Sequence, residues 1–204
     1  DQIPTAFWRH FPVDDQDPNH LAGATIHFQD TFGMDIIKVS PSSSFCLKDW
    51  GIQDEWIGNI EGTRDYKPSH VKSSYDIRNL PILDPRKGFL GKQLKTLSIL
   101  SDYYYPHTPL IQTIFSPLAQ LKNLIGKNYL INAIRNDPKS VKIGLETITE
   151  SIIRFLQACA KLNIDGIFFA VQHASSDLLS KEEFIEFGKS FDERLFQNFQ
   201  YFWL

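Results

Sequence analysis

Gln172 and His173, with Ser175, Ser176 and Asp177 close behind, make a polar cluster directly after an apolar run. An imidazole in such a place could donate or accept a proton near neutral pH. Arg9, with His10 beside it, follows another apolar run; a guanidinium there could grip carboxylates or phosphates in bidentate fashion, or sit in an ordinary surface ion pair. Ser40, Ser42, Ser43 and Ser44 bring hydroxyl and backbone donors for an anion or amide, and equally suit a plain loop. Ser116 reads first as a helix cap. Asp49 and His107 fall in loops, where a solvated role is the ordinary one. No nucleophile or coupled carboxylate accompanies His173. The sequence holds no glycine-rich phosphate loop, no nucleophile elbow, and no CxxC or HxxxH spacing for a metal. These residues describe a cleft for an anionic or polar ligand, with no reaction type attached.

Four strand–helix units would position them. Residues 167–171 are apolar throughout, as a parallel strand covered on both faces requires. Ser180 with Glu183 three positions on is a capping box that opens the next helix. At the start, residues 4–8 read as a strand leading to Arg9, and Asp17-Pro18 caps a helix that Gly33 stops. Residues 34–39 read as the second strand, ending in Ser40-Pro41-Ser42-Ser43-Ser44. Residues 51–80 break into short pieces that suggest a small hairpin excursion. A helix is expected from Asp84-Pro85, with Leu90, Leu94, Leu97 and Tyr104 on one face. Residues 110–115 read as the third strand, and Ser116-Pro117 caps the helix after it. Residues 137–163 carry Val141, Leu145, Ile148, Ile152, Phe155, Cys159 and Leu162 at three- and four-residue spacing, a helix to lay on a sheet or, less simply, in a coiled coil. Residues 199–204 read as the opening of a fifth strand.

Repeated units of this kind build either an open doubly wound sheet or a closed barrel. All four polar clusters follow strands at one end, which points to an α/β fold of the TIM (β/α)8-barrel family, with strands one to four here. Residues 1–204 are expected to form one domain, a half barrel. Its two apolar edges would stand open, so a carboxyl-terminal half, or a second copy in a homo-oligomer, is expected to complete it. A net charge of −3 argues against nucleic acid or an anionic membrane as partner. Cys46 and Cys159 suggest no disulfide framework, and neither a signal peptide nor a transmembrane run is present, which reads as a cytoplasmic protein.

The ordered blocks Ile3-Pro-Thr-Ala-Phe-Trp-Arg9, Asp35-Ile-Ile-Lys-Val-Ser40, Ile114-Phe-Ser-Pro-Leu118, Asp165-Gly-Ile-Phe-Phe169 and Ser176-Asp-Leu-Leu-Ser180 resemble the amino-terminal half of the uroporphyrinogen decarboxylase superfamily. The resemblance implies (β/α)8 barrels of roughly 350 residues. It implies either decarboxylation of porphyrinogens, a carboxy-lyase step of porphyrin biosynthesis, or methyl transfer with a corrinoid-bound or small-molecule substrate. In the decarboxylases a second arginine would stand at Val13, the catalytic aspartate would fall on Pro41 or a neighbouring serine, the tyrosine near Asn123, and the substrate-binding serine on His173. These departures turn the expectation toward a methyltransferase-type member. Arg9, Gln172 and His173 are then the expected catalytic residues, with His10, Ser40, Ser42, Ser43 and Ser116 binding substrate. The methyltransferase branch implies zinc in the complete barrel, with its ligands beyond this chain and no cofactor within it. A non-catalytic truncated product, assembling as half barrels, is the remaining expectation.

Overall fold

The computed structural model describes residues 3–67, 69–172 and 174–198. Helix α1, Pro18–Phe32, starts where the Asp17 carboxylate accepts from the backbone N–H groups of Asn19 and His20, and proline occupies its first turn. It stops at Gly33, whose left-handed backbone (φ +62°) returns an N–H to the Gln29 carbonyl. The Gln29 amide then holds both backbone groups of Met34 and turns the chain into strand β1, Ile37–Val39.

Residues 4–8 differ from the expectation of a strand. They form no ladder and are tied to the next segment where Asp35 N–H donates to the Thr5 carbonyl and Thr5 N–H to the Asp35 carboxylate. Pro4 has no N–H to offer, and Ile3, Phe7 and Trp8 stay exposed, so the segment has little to bury against.

After a 3₁₀ turn at Lys48–Trp50, an antiparallel arm forms from β2, Asp54–Glu55, and β3, Asp65–Tyr66. The short helix α2, Ser74–Arg78, follows behind a capping box of Ser73 and Asp76. Helix α3, Gly88–Tyr104, begins four residues beyond Asp84. Asp84 instead holds a turn by accepting from Arg86 N–H, and the cap comes from Asp49, whose carboxylate accepts from Phe89 and Leu90 N–H.

Strand β4, Leu110–Phe115, leads through the Ser116 cap into α4, Pro117–Ile125; α5, Lys127–Asn136, and α6, Pro138–Cys159, follow. Strand β5, Gly166–Ala170, begins with a second aspartate latch: Asp165 N–H donates to the Leu110 carbonyl and Leu110 N–H to the Asp165 carboxylate. Beyond it, Ser180 and Glu183 cap α7, Lys181–Phe184, which runs through a π turn into α8, Ser190–Gln197. The expected strand at 199–204 lies outside the described residues.

The main sheet has the order β1-β4-β5, all parallel. Ile37, Val39, Leu110 and Ile114 are buried beneath the helices, and Gln112 is bonded to Gln93 of α3. Strand register puts Lys38, Thr113 and Phe168 together on the opposite face. There the sheet meets Trp8 instead of a helix. Among the described residues no helix is long and apolar enough to cross a membrane.

Candidate functional site

Lys38 stands in the middle of β1, on the face turned away from the helices. Its ammonium lies 4.6 Å from the Trp8 ring and 4.5 Å from the Phe168 ring, and the two rings are 5.4 Å apart and tilted. The cation therefore sits in an aromatic wedge, a favourable cation–π arrangement. It donates at 3.4 Å to the buried Ser40 hydroxyl and has no carboxylate within ion-pair distance among the described residues. Burial lowers its pKa to about 8. Half-buried His10 is lowered too, by burial first and then by the Lys38 charge, against the pull of Asp15. A neutral imidazole beside an unpaired ammonium results.

An ionic clamp holds the arm over this region. The Arg64 guanidinium reaches the Asp54 carboxylate at 3.1 Å, the Asp15 carboxylate at 3.2 Å and the Pro12 carbonyl at 2.9 Å, and Lys48 also pairs with Asp54. Both carboxylates are out of solvent. Burial alone would raise Asp54, but hydrogen bonds from Lys48, Ser44 and Arg64 overcome it and hold the carboxyl below its ordinary value. Asp15 goes the other way: burial raises it further than Gln16 and Arg64 lower it. Gly62, in the arm, has φ +71°, and a Cβ there would clash with the Cβ of His10. The arm can lie this close to His10 only as glycine.

The residues singled out from sequence separate into groups. His10 and Ser40 stand near Lys38. Ser42 is buried and accepts from the Ser44 hydroxyl, while Ser43 accepts from the Tyr66 hydroxyl at 2.9 Å, so these serines join the loop to the arm. Ser116 is buried and caps α4 through Ala119 N–H. Arg9 is exposed, its Nε donating weakly to the His10 carbonyl and its guanidinium over the Phe11 ring. Gln172 is exposed after β5, and His173 lies outside the described residues. Val13 is 72% exposed. Lys38 itself escapes a reading by motif, since one lysine within an apolar strand carries no signal until Trp8 and Phe168 are brought to it.

Among the described residues no three His, Cys, Asp or Glu side chains converge as a metal site, and burial pushes both cysteine thiols up, away from the thiolate a zinc ion needs. The described residues do not fit zinc.

Residues 9–201 match the family described as Uroporphyrinogen decarboxylase (URO-D). Among solved structures, a methyltransferase from Methanosarcina mazei is similar with a TM-score of 0.80 at 16% identity, over 94% of this chain and 56% of that one. The likeness is one of fold, an α/β arrangement of parallel strands and helices, and the chain spans little more than half of that methyltransferase. No curated protein matches the sequence.

Proposed function

This chain belongs to the uroporphyrinogen decarboxylase family, and within that family we propose that it is a methyltransferase-type member, the amino-terminal part of a (β/α)8 barrel. The observation that carries this reading is the charge around the aromatic wedge. Lys38 is the cation held there, Arg9 turns to the His10 carbonyl and the Phe11 ring, and Val13 adds nothing. A porphyrinogen carries a ring of carboxylates, and desolvating each without a partner costs several kcal/mol, on the order of 2–5. A small substrate with one anionic group and an apolar body needs one ammonium and an aromatic surface. The similarity of fold to the Methanosarcina mazei methyltransferase supports the same branch.

In this reading Lys38 holds the anionic group, Trp8 and Phe168 hold the apolar part, and Ser40 and neutral His10 supply hydrogen bonds. Arg9 and Gln172, both exposed, belong to the rim. The reaction is displacement at a methyl group: the lone pair of a thiolate forms the new carbon–sulfur bond, and the cobalt–carbon bond of a methylcorrinoid breaks with its pair left on cobalt. The remaining strands come from a carboxyl-terminal half or from a second copy. The buried free thiols suit a reducing cytoplasm.

The test supplies methylcobalamin with 3-mercaptopropionate, and in a separate vessel uroporphyrinogen. Formation of cob(I)alamin and the S-methyl product is expected from the first vessel and no carbon dioxide from the second. Carbon dioxide release without methyl transfer overturns the reading.

A further inference from the structure

A cleft of about 580 Å³ opens between the arm and the α4–α5 junction, away from Lys38 and the aromatic wedge. Four lysines line it: Lys67 and Lys72 from the arm side, Lys122 from the last turn of α4, and Lys127 from the first turn of α5. No aspartate or glutamate is among its described lining residues. Lys67 pairs with Glu55 at 2.7 Å, but Lys72, Lys122 and Lys127 make no ion pair with any described residue. Lys142 and Lys189 pair with carboxylates elsewhere, while Lys92, Lys95, Lys139, Lys161 and Lys181 are unpaired among the described residues but do not gather in one cleft.

That arrangement gathers charge of one sign in one place. The chain has 24 acidic residues against 21 basic ones, so three unpaired lysines in one cleft reverse its overall sign locally. Lys127 also adds a cation where the backbone N–H groups of α5 already leave positive charge. Burial lowers the pKa of Lys122, and the Lys127 charge lowers it further. Charges of one sign in a cleft concentrate a field that an anion relieves. The residue type narrows the anion: arginine forks suit carboxylates in bidentate pairs, whereas lysines act as mobile point charges around phosphoryl oxygens. Apolar walls from Val71, Leu124 and Tyr129 would face the rest of the ligand.

We propose that this cleft binds a small organic phosphate, its phosphoryl group held by Lys72, Lys122 and Lys127 and its apolar body laid against Tyr129. Binding there is independent of the methyl-transfer chemistry, and its test uses neither a methyl donor nor an acceptor.

The probe is phenyl phosphate, titrated calorimetrically into the protein, with benzoate as the carboxylate of similar body. The wild type should bind phenyl phosphate at least tenfold more tightly than benzoate. Lys122→Gln combined with Lys127→Gln should weaken it at least tenfold, whereas Lys142→Gln should leave it unchanged; repeating the titrations in a Lys38→Gln background takes away the wedge's own ammonium and should leave the binding in the cleft in place. Lys72→Gln, on the exposed side of the cleft, should weaken it severalfold and serves if the double variant fails to fold. The proposal is overturned if the wild type binds neither probe, if a folded double variant or Lys72→Gln binds as the wild type does, or if Lys38→Gln removes the binding.

Discussion

The ammonium of Lys38 lies 4.5 Å from the ring of Phe168, on the face of β1 and β5 opposite buried Ile37, Val39 and Ile114. A cation there is stabilised by the ring yet deprived of water, and the loss of water dominates, taking its pKa from 10.5 to about 8. Because the folded value lies below the unfolded one, the unfolded chain holds more protons between pH 8 and 10.5, and stability rises with pH across that window. Lys38→Met should therefore raise the urea midpoint at pH 7, with the gain shrinking by pH 10. A midpoint that falls at pH 7, or a gain independent of pH, contradicts the assignment.

Asp49 caps α3 across 40 residues of sequence. Asp49→Ala should cost about 1–2 kcal/mol, the ordinary range for a lost helix cap, read from urea unfolding, while Asp49→Asn should keep part of it. Gly88 lies against the same carboxylate with φ +54°, and a Cβ there would run into it. Gly88→Ala should thus destabilise at least as much as Asp49→Ala, and the two losses should not add.

Both carboxylates of the clamp depend on Arg64. Arg64→Met strands Asp15 and Asp54 out of solvent with only Lys48 and local hydrogen bonds to answer them. A cost of about 3–5 kcal/mol is expected, as for breaking one side of a buried ion pair. The arm should also become open to proteolysis between residues 54 and 66. Because Asp54 is held low in the fold, its contribution should vanish as pH falls through its folded pKa. An Arg64→Met protein with wild-type stability would show the clamp to be incidental.

Asp192 supplies a pH signature of opposite sign. Burial, with Glu193 adding repulsion, raises its carboxyl to about 7, and one oxygen has no partner among the described residues. The folded state then holds the extra proton from about pH 4 to 7, so stability falls as pH rises through that window. Asp192→Asn should stabilise the protein at pH 8 by about 1–3 kcal/mol, the usual cost of an uncompensated buried polar group, and should change little at pH 4.

What could be read from the chain was local. Asp17 with Pro18, Gly33, Ser116 with Pro117, and Ser180 with Glu183 all mark helix ends within a turn of themselves, and the structure has them doing so. The start of α3 could not be read this way, because Asp84 looks like a cap from its neighbours while the working cap, Asp49, is distant in sequence. Residues 4–8 have the composition of a strand but lack a buried face. The aspartates of the two latches, Asp35 on Thr5 and Asp165 on Leu110, each open a strand segment, yet their common geometry shows only in three dimensions. Around the candidate site, Ser40 and His10 were legible as polar residues after apolar runs. Lys38 was not, since its meaning comes from rings about 30 and 130 residues away.

The most direct test measures cob(I)alamin formed from methylcobalamin with two acceptors, 3-mercaptopropionate and neutral 2-mercaptoethanol, for the wild type and Lys38→Gln. The wild type should turn over both, with a KM at least tenfold lower for the carboxylate-bearing thiol, and that preference should disappear in Lys38→Gln while kcat for the neutral thiol is kept. No cob(I)alamin with either thiol, together with carbon dioxide release from uroporphyrinogen, would contradict methyl transfer at the aromatic wedge; equal preference in both proteins would contradict the role of Lys38.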